Sequence, residues 1–214
     1  MAGAGKSRDH PPPLPAPLLA RLDNRRMQPF HQGDLDSLCG LYAAINALRL
    51  VLAPVRQVKR PEALNWFRIG LEFLDETGNL EDIIGDGIGP QEWLELMETL
   101  AVAAGAAAGC RVVVVQPLRY IARATRARMH GTIDDAIVCG QPVLITLSGV
   151  HDHYSVVSGF SPFSLWLFDS GHLQRLRRSD CGTQRGGDKW RHRMNARTLT
   201  VLSLRLKPNR MRRP

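Results

Sequence analysis

Val143-Leu144-Ile145-Thr146-Leu147, His153-Tyr154-Ser155-Val156-Val157-Ser158-Gly159-Phe160 and Leu165-Trp166-Leu167-Phe168 follow one another with only short connections between them. Each run is rich in β-branched or aromatic residues, and Gly149, Gly159 and Pro162 punctuate the series. Connections this short suit antiparallel pairing, because a parallel crossover needs about a dozen residues or more. Residues 198–206 read as a further alternating strand. So does 111–118, where Val112-Val113-Val114-Val115 lies between Gly109 and Pro117.

Ahead of these strands the pattern is helical. Leu38, Leu41, Tyr42, Ile45, Leu48 and Leu52 recur at steps of three and four with alanines between them, which predicts a buried helix over 38–52 capped by Asp36 or Ser37. A second helix is expected over 61–74. Gly85-Asp86-Gly87-Ile88-Gly89-Pro90 reads as a loop, and Pro90 suits the first turn of a helix running to about residue 104. A short helix is expected over 132–139, and the polar, basic stretch 179–195 reads as a loop or an insertion. Helices first and strands afterwards argue for an α+β fold rather than a doubly wound parallel sheet.

The chain has 214 residues, room for one sizeable core and too few for two ordinary domains. At 44% hydrophobic and 22% charged it has the composition of a globular protein. The net charge of +8 is uneven: residues 175–214 hold 13 basic and 2 acidic residues, so the remainder is slightly acidic. Residues 1–27 read as a flexible Pro- and Arg-rich tail, 28–206 as the folded domain and 207–214 as a basic tail. Gly5-Lys6-Ser7 lacks the upstream glycine and strand of a phosphate-binding loop. The basic C-terminal stretch suits an acidic partner. Nucleic acid is disfavoured, since Trp190 is the one aromatic residue there to stack a base. No run is apolar enough for a membrane span, and Pro11-Pro12-Pro13 interrupts any secretory leader. Four cysteines without a C-x-x-C pair argue against a disulfide framework or a zinc ribbon. These features fit a reducing, cytoplasmic compartment, with export as an effector the alternative.

Cys39 opens the first helix, where unpaired backbone N–H groups and the positive end of the helix dipole favour a thiolate. A small buried cysteine is the bland alternative. His153 starts a strand on the face opposite Tyr154 and Val156, and Asp169 ends the next strand. In a hairpin the two become neighbours, so that the carboxylate can orient the imidazole. Asp169 also suits the turn Asp169-Ser170-Gly171. His151 is the alternative base, two residues away. Cys110 and Cys139 read as structural, and Trp66, Trp93 and Trp166 as core. Cys181 and His192 lack metal-ligand spacing, and Gly85 to Gly89 is a weak candidate for lining a substrate groove.

Cys39-Gly40-Leu41-Tyr42-Ala43, His153-Tyr154-Ser155-Val156-Val157-Ser158-Gly159 and Asp169-Ser170 resemble, in type, order and spacing, the papain-like cysteine peptidases. That group includes the bacteriocin-processing peptidase domains of bacterial exporters. The resemblance spans roughly residues 27–206. It implies helices carrying the nucleophile packed on an antiparallel sheet, a Cys39-His153-Asp169 triad and a thioester intermediate. It also implies a peptide or isopeptide substrate, no cofactor and no metal. The family's oxyanion-hole glutamine corresponds to Gln32, which lies seven residues before Cys39 where the family has six; a bulge over 34–36 would absorb the extra residue. The same triad would also serve a transglutaminase-like acyltransferase or deamidase, and the fold alone would serve a non-catalytic protein-binding module.

Overall fold

The computed structural model describes residues 20–23, 27–33, 36–78 and 80–206. Strand β1 (Ala20–Arg21) is followed by four helices, α1 (Cys39–Leu52), α2 (Arg60–Thr77), α3 (Leu80–Asp86) and α4 (Pro90–Ala108). Strand β2 (Cys110–Val115) and helix α5 (Arg126–Val138) come next. The chain then enters β3 (Val143–Gly149), β4 (His153–Phe160), β5 (Ser164–Leu167), β6 (Arg175–Arg177), β7 (Cys181–Thr183), β8 (His192–Met194) and β9 (Thr200–Leu206). The architecture is α+β. The sheet runs β2-β9-β3-β4-β5-β6 with every neighbouring pair antiparallel, while β8 pairs with β3 and, in parallel, with β7.

The period-2 alternation of the strands builds two cores. Leu144, Val156 and Leu202 pack beneath α1, α2 and α4, with Leu48, Trp66, Trp93 and Leu100. Their neighbours Val143, Ile145, Val157 and Val201 point the other way and pack against Met129, Ile133 and Ile137 of α5. Helix α4 starts at Pro90, with the Glu92 carboxylate accepting the Gly89 N–H at 3.1 Å, and ends at Gly109 in the left-handed region (φ 66°).

Several expectations need correction. Within the segment read as a tail, Ala20 and Arg21 pair with Phe160 and Gly159, because that end of β4 extends beyond β3. The rest of the tail up to residue 19, and the basic tail 207–214, lie outside the described residues. Helix α5 begins at Arg126, six residues before the expected start, because Thr125 caps it by accepting the Arg128 N–H at 3.2 Å. Gly85 and Asp86 close α3 instead of lying in a loop. The stretch 179–195 contains β7 and β8, whose pairing compensates for their three-residue length.

Candidate active site

The residue before α1, Leu38, is its N-cap and supplies no capping side chain. Neither Asp36 nor Ser37 caps the helix as expected. Asp36 Oδ1 accepts the Leu38 N–H at 3.0 Å, one residue early, and Ser37 Oγ donates to the Gly85 carbonyl at 2.8 Å. Cys39 is therefore the first helical residue, half-buried, among backbone N–H groups that have no partner within the helix. Next to it, Gly40 is held by Trp93, whose indole N–H donates to the Gly40 carbonyl at 3.0 Å. A Cβ on Gly40 would come within 2.7 Å of Trp93 Cδ1, so this approach requires glycine. Trp93 also stacks on Tyr154 (centroids 5.1 Å apart), and the Tyr154 hydroxyl donates to the Ile88 carbonyl at 3.2 Å. One aromatic pair thus ties the cysteine's helix to the strand that carries His153.

His153 Nε2 lies 2.8 Å from Asp169 Oδ2. The β4–β5 pairing has a bulge between Val157 and Gly159, and the Phe168 N–H reaches the Val156 carbonyl at 2.8 Å, which carries Asp169 alongside the start of β4. The Asp169 carboxylate is buried and fully occupied. Oδ2 also accepts from Ser155 Oγ, while Oδ1 accepts the Gly171 and Leu173 N–H groups at 2.7 and 3.0 Å. Burial alone would raise its pKa, but the donors, His153 first, outweigh it and hold the carboxyl below the ordinary range. For His153, burial favours the neutral ring. Hydrogen bonds to Asp169 and Cys39, and their negative charges, reverse that and push its pKa up to about 9. With Nε2 committed to Asp169, Nδ1 is the ring nitrogen left for Cys39.

A strap over residues 27–33 runs along α1. Buried Asn46, two turns after Cys39, clamps it by accepting the Phe30 N–H (2.8 Å) and donating to the Phe30 carbonyl (3.0 Å). Arg49 donates to the Gln28 carbonyl at 2.8 Å and packs over the Phe30 ring. The Gln32 N–H then bonds the Ser170 carbonyl at 3.1 Å, beside Asp169. The Gln32 side-chain amide donates to the Asp36 carbonyl, which uses one of its two N–H donors. The bulge expected at 34–36 falls partly on residues 34 and 35, outside the described residues.

Sequence reasoning missed Asn46, Trp93 in its positioning role, and Ser155. Asn46 left a signal, a polar residue inside an otherwise apolar helix; Ser155 left none. His151 does not face Asp169 but stacks on His192 (5.6 Å between centroids). Trp66 and Trp93 are buried, whereas Trp166 is half-buried, with Arg21 lying over its ring. Cys139 is exposed, contrary to a structural role in the core, since it follows the last turn of α5. Cys110 is buried, and so is Cys181, where burial pushes the thiol up to about 12. Cys181 and His192 are cross-strand neighbours, but the thiol points to the Arg177 carbonyl. Among the described residues no group of three or more His, Cys, Asp or Glu side chains is placed to hold a metal ion, and no helix is long and apolar enough to cross a membrane. Comparison of the chain with models of protein families, with characterised proteins and with solved structures gave no match.

Proposed function

We infer that the protein is a papain-like cysteine hydrolase, a peptidase or isopeptidase working through a thioester. The observation that carries this reading is the relay from Cys39 to His153 to Asp169. The thiol opens a helix, Cys39 is among the groups that raise the proton affinity of the imidazole, and a buried carboxylate holds the far ring nitrogen at 2.8 Å. The high proton affinity of His153 suits an imidazolium that stabilises a neighbouring thiolate.

In the reaction, the Cys39 sulfur attacks the substrate carbonyl carbon, forming a C–S bond while the carbonyl oxygen becomes an oxyanion. The Cys39 backbone N–H and the second N–H of the Gln32 amide are its donors; losing one such donor typically costs about 3–4 kcal/mol in the barrier. His153 gives its Nδ1 proton to the departing nitrogen as the C–N bond breaks. Water then attacks the thioester, His153 takes a proton from it, and the acid leaves as Cys39 is restored. Asp169 keeps the ring oriented throughout.

Incubation with a proteome-derived peptide mixture and mass analysis of the products tests the reading. New termini that disappear in Cys39→Ala support hydrolysis. A gain of about one dalton at glutamine without chain cleavage would point to deamidation by the same thioester chemistry. Cleavage that persists in Cys39→Ala would end the hydrolase reading.

A further inference from the structure

A groove of about 1150 Å³ opens beside Asp169, between the strap and the β5–β6 segment. Its lining includes Arg21, Trp166, Arg175, His31 and His172, and Asp169 is its one carboxylate. That carboxylate is turned inward onto four donors, so the charge the groove shows to solvent is positive. Cys39 does not line it. It is a surface next to the candidate site rather than the cleft over the sulfur.

The strand register extends this positive surface. Trp166 pairs with Arg175 and Ser164 with Arg177, so both arginines project from the same face of β6 as Trp166. Arg175 lines the first groove and also a neighbouring cleft of about 520 Å³, where it meets Arg177 and the largely exposed Phe163. The other two arginines of that cleft are engaged: Arg178 with Asp134, and Arg126 with the Cys181 and Arg178 carbonyls. Arg175 and Arg177 have no ion-pair partner among the described residues.

We propose that this arginine-lined track is a docking site for an extended acidic peptide segment. Alternate side chains of an extended chain stand roughly 6.6–6.8 Å apart, the same spacing at which β6 presents Arg175 and Arg177. A peptide with carboxylates at every second residue therefore meets both guanidinium groups in register. Its backbone passes over the apolar surfaces of Trp166 and Phe163, while its intervening side chains face solvent. Arg21, held over the Trp166 ring at 5.6 Å, supplies a third cation at the end of the track nearer the strap.

Binding of fluorescein-labelled (Glu-Ser)4 to the full chain carrying Cys39→Ala, followed by anisotropy, tests this without any dependence on hydrolysis. The expected result is binding that weakens with salt and is absent for (Lys-Ser)4. Reversal of Arg175 and Arg177 to glutamate should weaken it about tenfold or more. The same change in net charge made at Arg111 and Arg205, on the distant β2–β9 pair, should leave it within about twofold. Equal loss in both double variants, or no loss in the Arg175 and Arg177 pair, would overturn the proposal, since the attraction would not come from this track. Tighter binding of an oligothymidylate through the same arginines would overturn it in favour of a nucleic-acid surface.

Discussion

Replacing Asp169 by asparagine isolates what the carboxylate does for His153. The amide is nearly isosteric, and its oxygen can still accept the Gly171 and Leu173 N–H groups now held by Oδ1. The group facing His153 Nε2 then becomes an NH₂ donor, so Nε2 must give up its proton and the ring is driven to the other tautomer. In the native protein His153 rises from 6.5 to about 9. At about 1.4 kcal/mol per tenfold, that corresponds to roughly 3 kcal/mol in favour of the imidazolium. Asp169 is the first of the partners that raise it, with Cys39 second. The expected outcome in Asp169→Asn is a His153 midpoint lower by at least one pH unit, read by NMR titration of the ring. A midpoint that stays near 9 would show that the carboxylate is not what holds the proton. The linkage to stability has a definite sign. His153, raised in the folded state, contributes fully below pH 6.5 and loses that contribution as pH rises through about 9. Asp169, lowered in the folded state, contributes above the ordinary 3.8 and loses it as pH falls through its folded value. Native stability should therefore decline on both flanks of the neutral range, and the alkaline decline should shift to lower pH in Asp169→Asn.

Trp93→Phe removes the indole donor to the Gly40 carbonyl while keeping most of the stack on Tyr154. The expected cost is about 1–3 kcal/mol in urea unfolding, with slower alkylation of Cys39 because its helix start is no longer fixed. Slower alkylation without any loss of stability would still fit positioning; loss of stability with unchanged reactivity would contradict it. Asn46→Ala strips both backbone partners from Phe30 and opens a small void beneath the strap. About 3 kcal/mol of destabilisation is expected, and less than about 1 would mean that the strap is held by its other contacts.

The fold class was legible because β3, β4 and β9 are runs of seven or eight residues rich in β-branched and apolar side chains, β3 and β4 are joined by a short connection, and α1 keeps a helical period throughout. Strands β6, β7 and β8 were not legible, since three residues are too few to show a period, and they owe their conformation to partners, β6 to β5, β8 to β3 and β7 to β8. The start of α5 was hidden because Arg126-Ala127-Arg128 shows no apolar period ahead of Met129 and Ile133. At the site, the neighbourhood of His153 and Asp169 follows from hairpin logic: the last residue of one strand lies beside the first of the other. The supports lie beyond that logic. Trp93 reaches Gly40 across 53 positions and Asn46 reaches Phe30 across 16; a polar Asn46 in an apolar helix stands out, but a single sequence does not name the distant partner of either. Trp166 shows the opposite error. An aromatic residue in an apolar strand reads as core, yet its face of the sheet lies open at the arginine track.

Site-resolved alkylation by iodoacetamide measures the central claim directly, because exposed Cys139 serves as an internal standard and Cys110 and Cys181 are buried. At pH 6 Cys39 should outpace Cys139 by about tenfold or more, as expected for a thiolate held by an imidazolium. In His153→Ala that advantage should vanish. A Cys39 that reacts no faster than Cys139, or one whose rate ignores the loss of His153, would contradict the account.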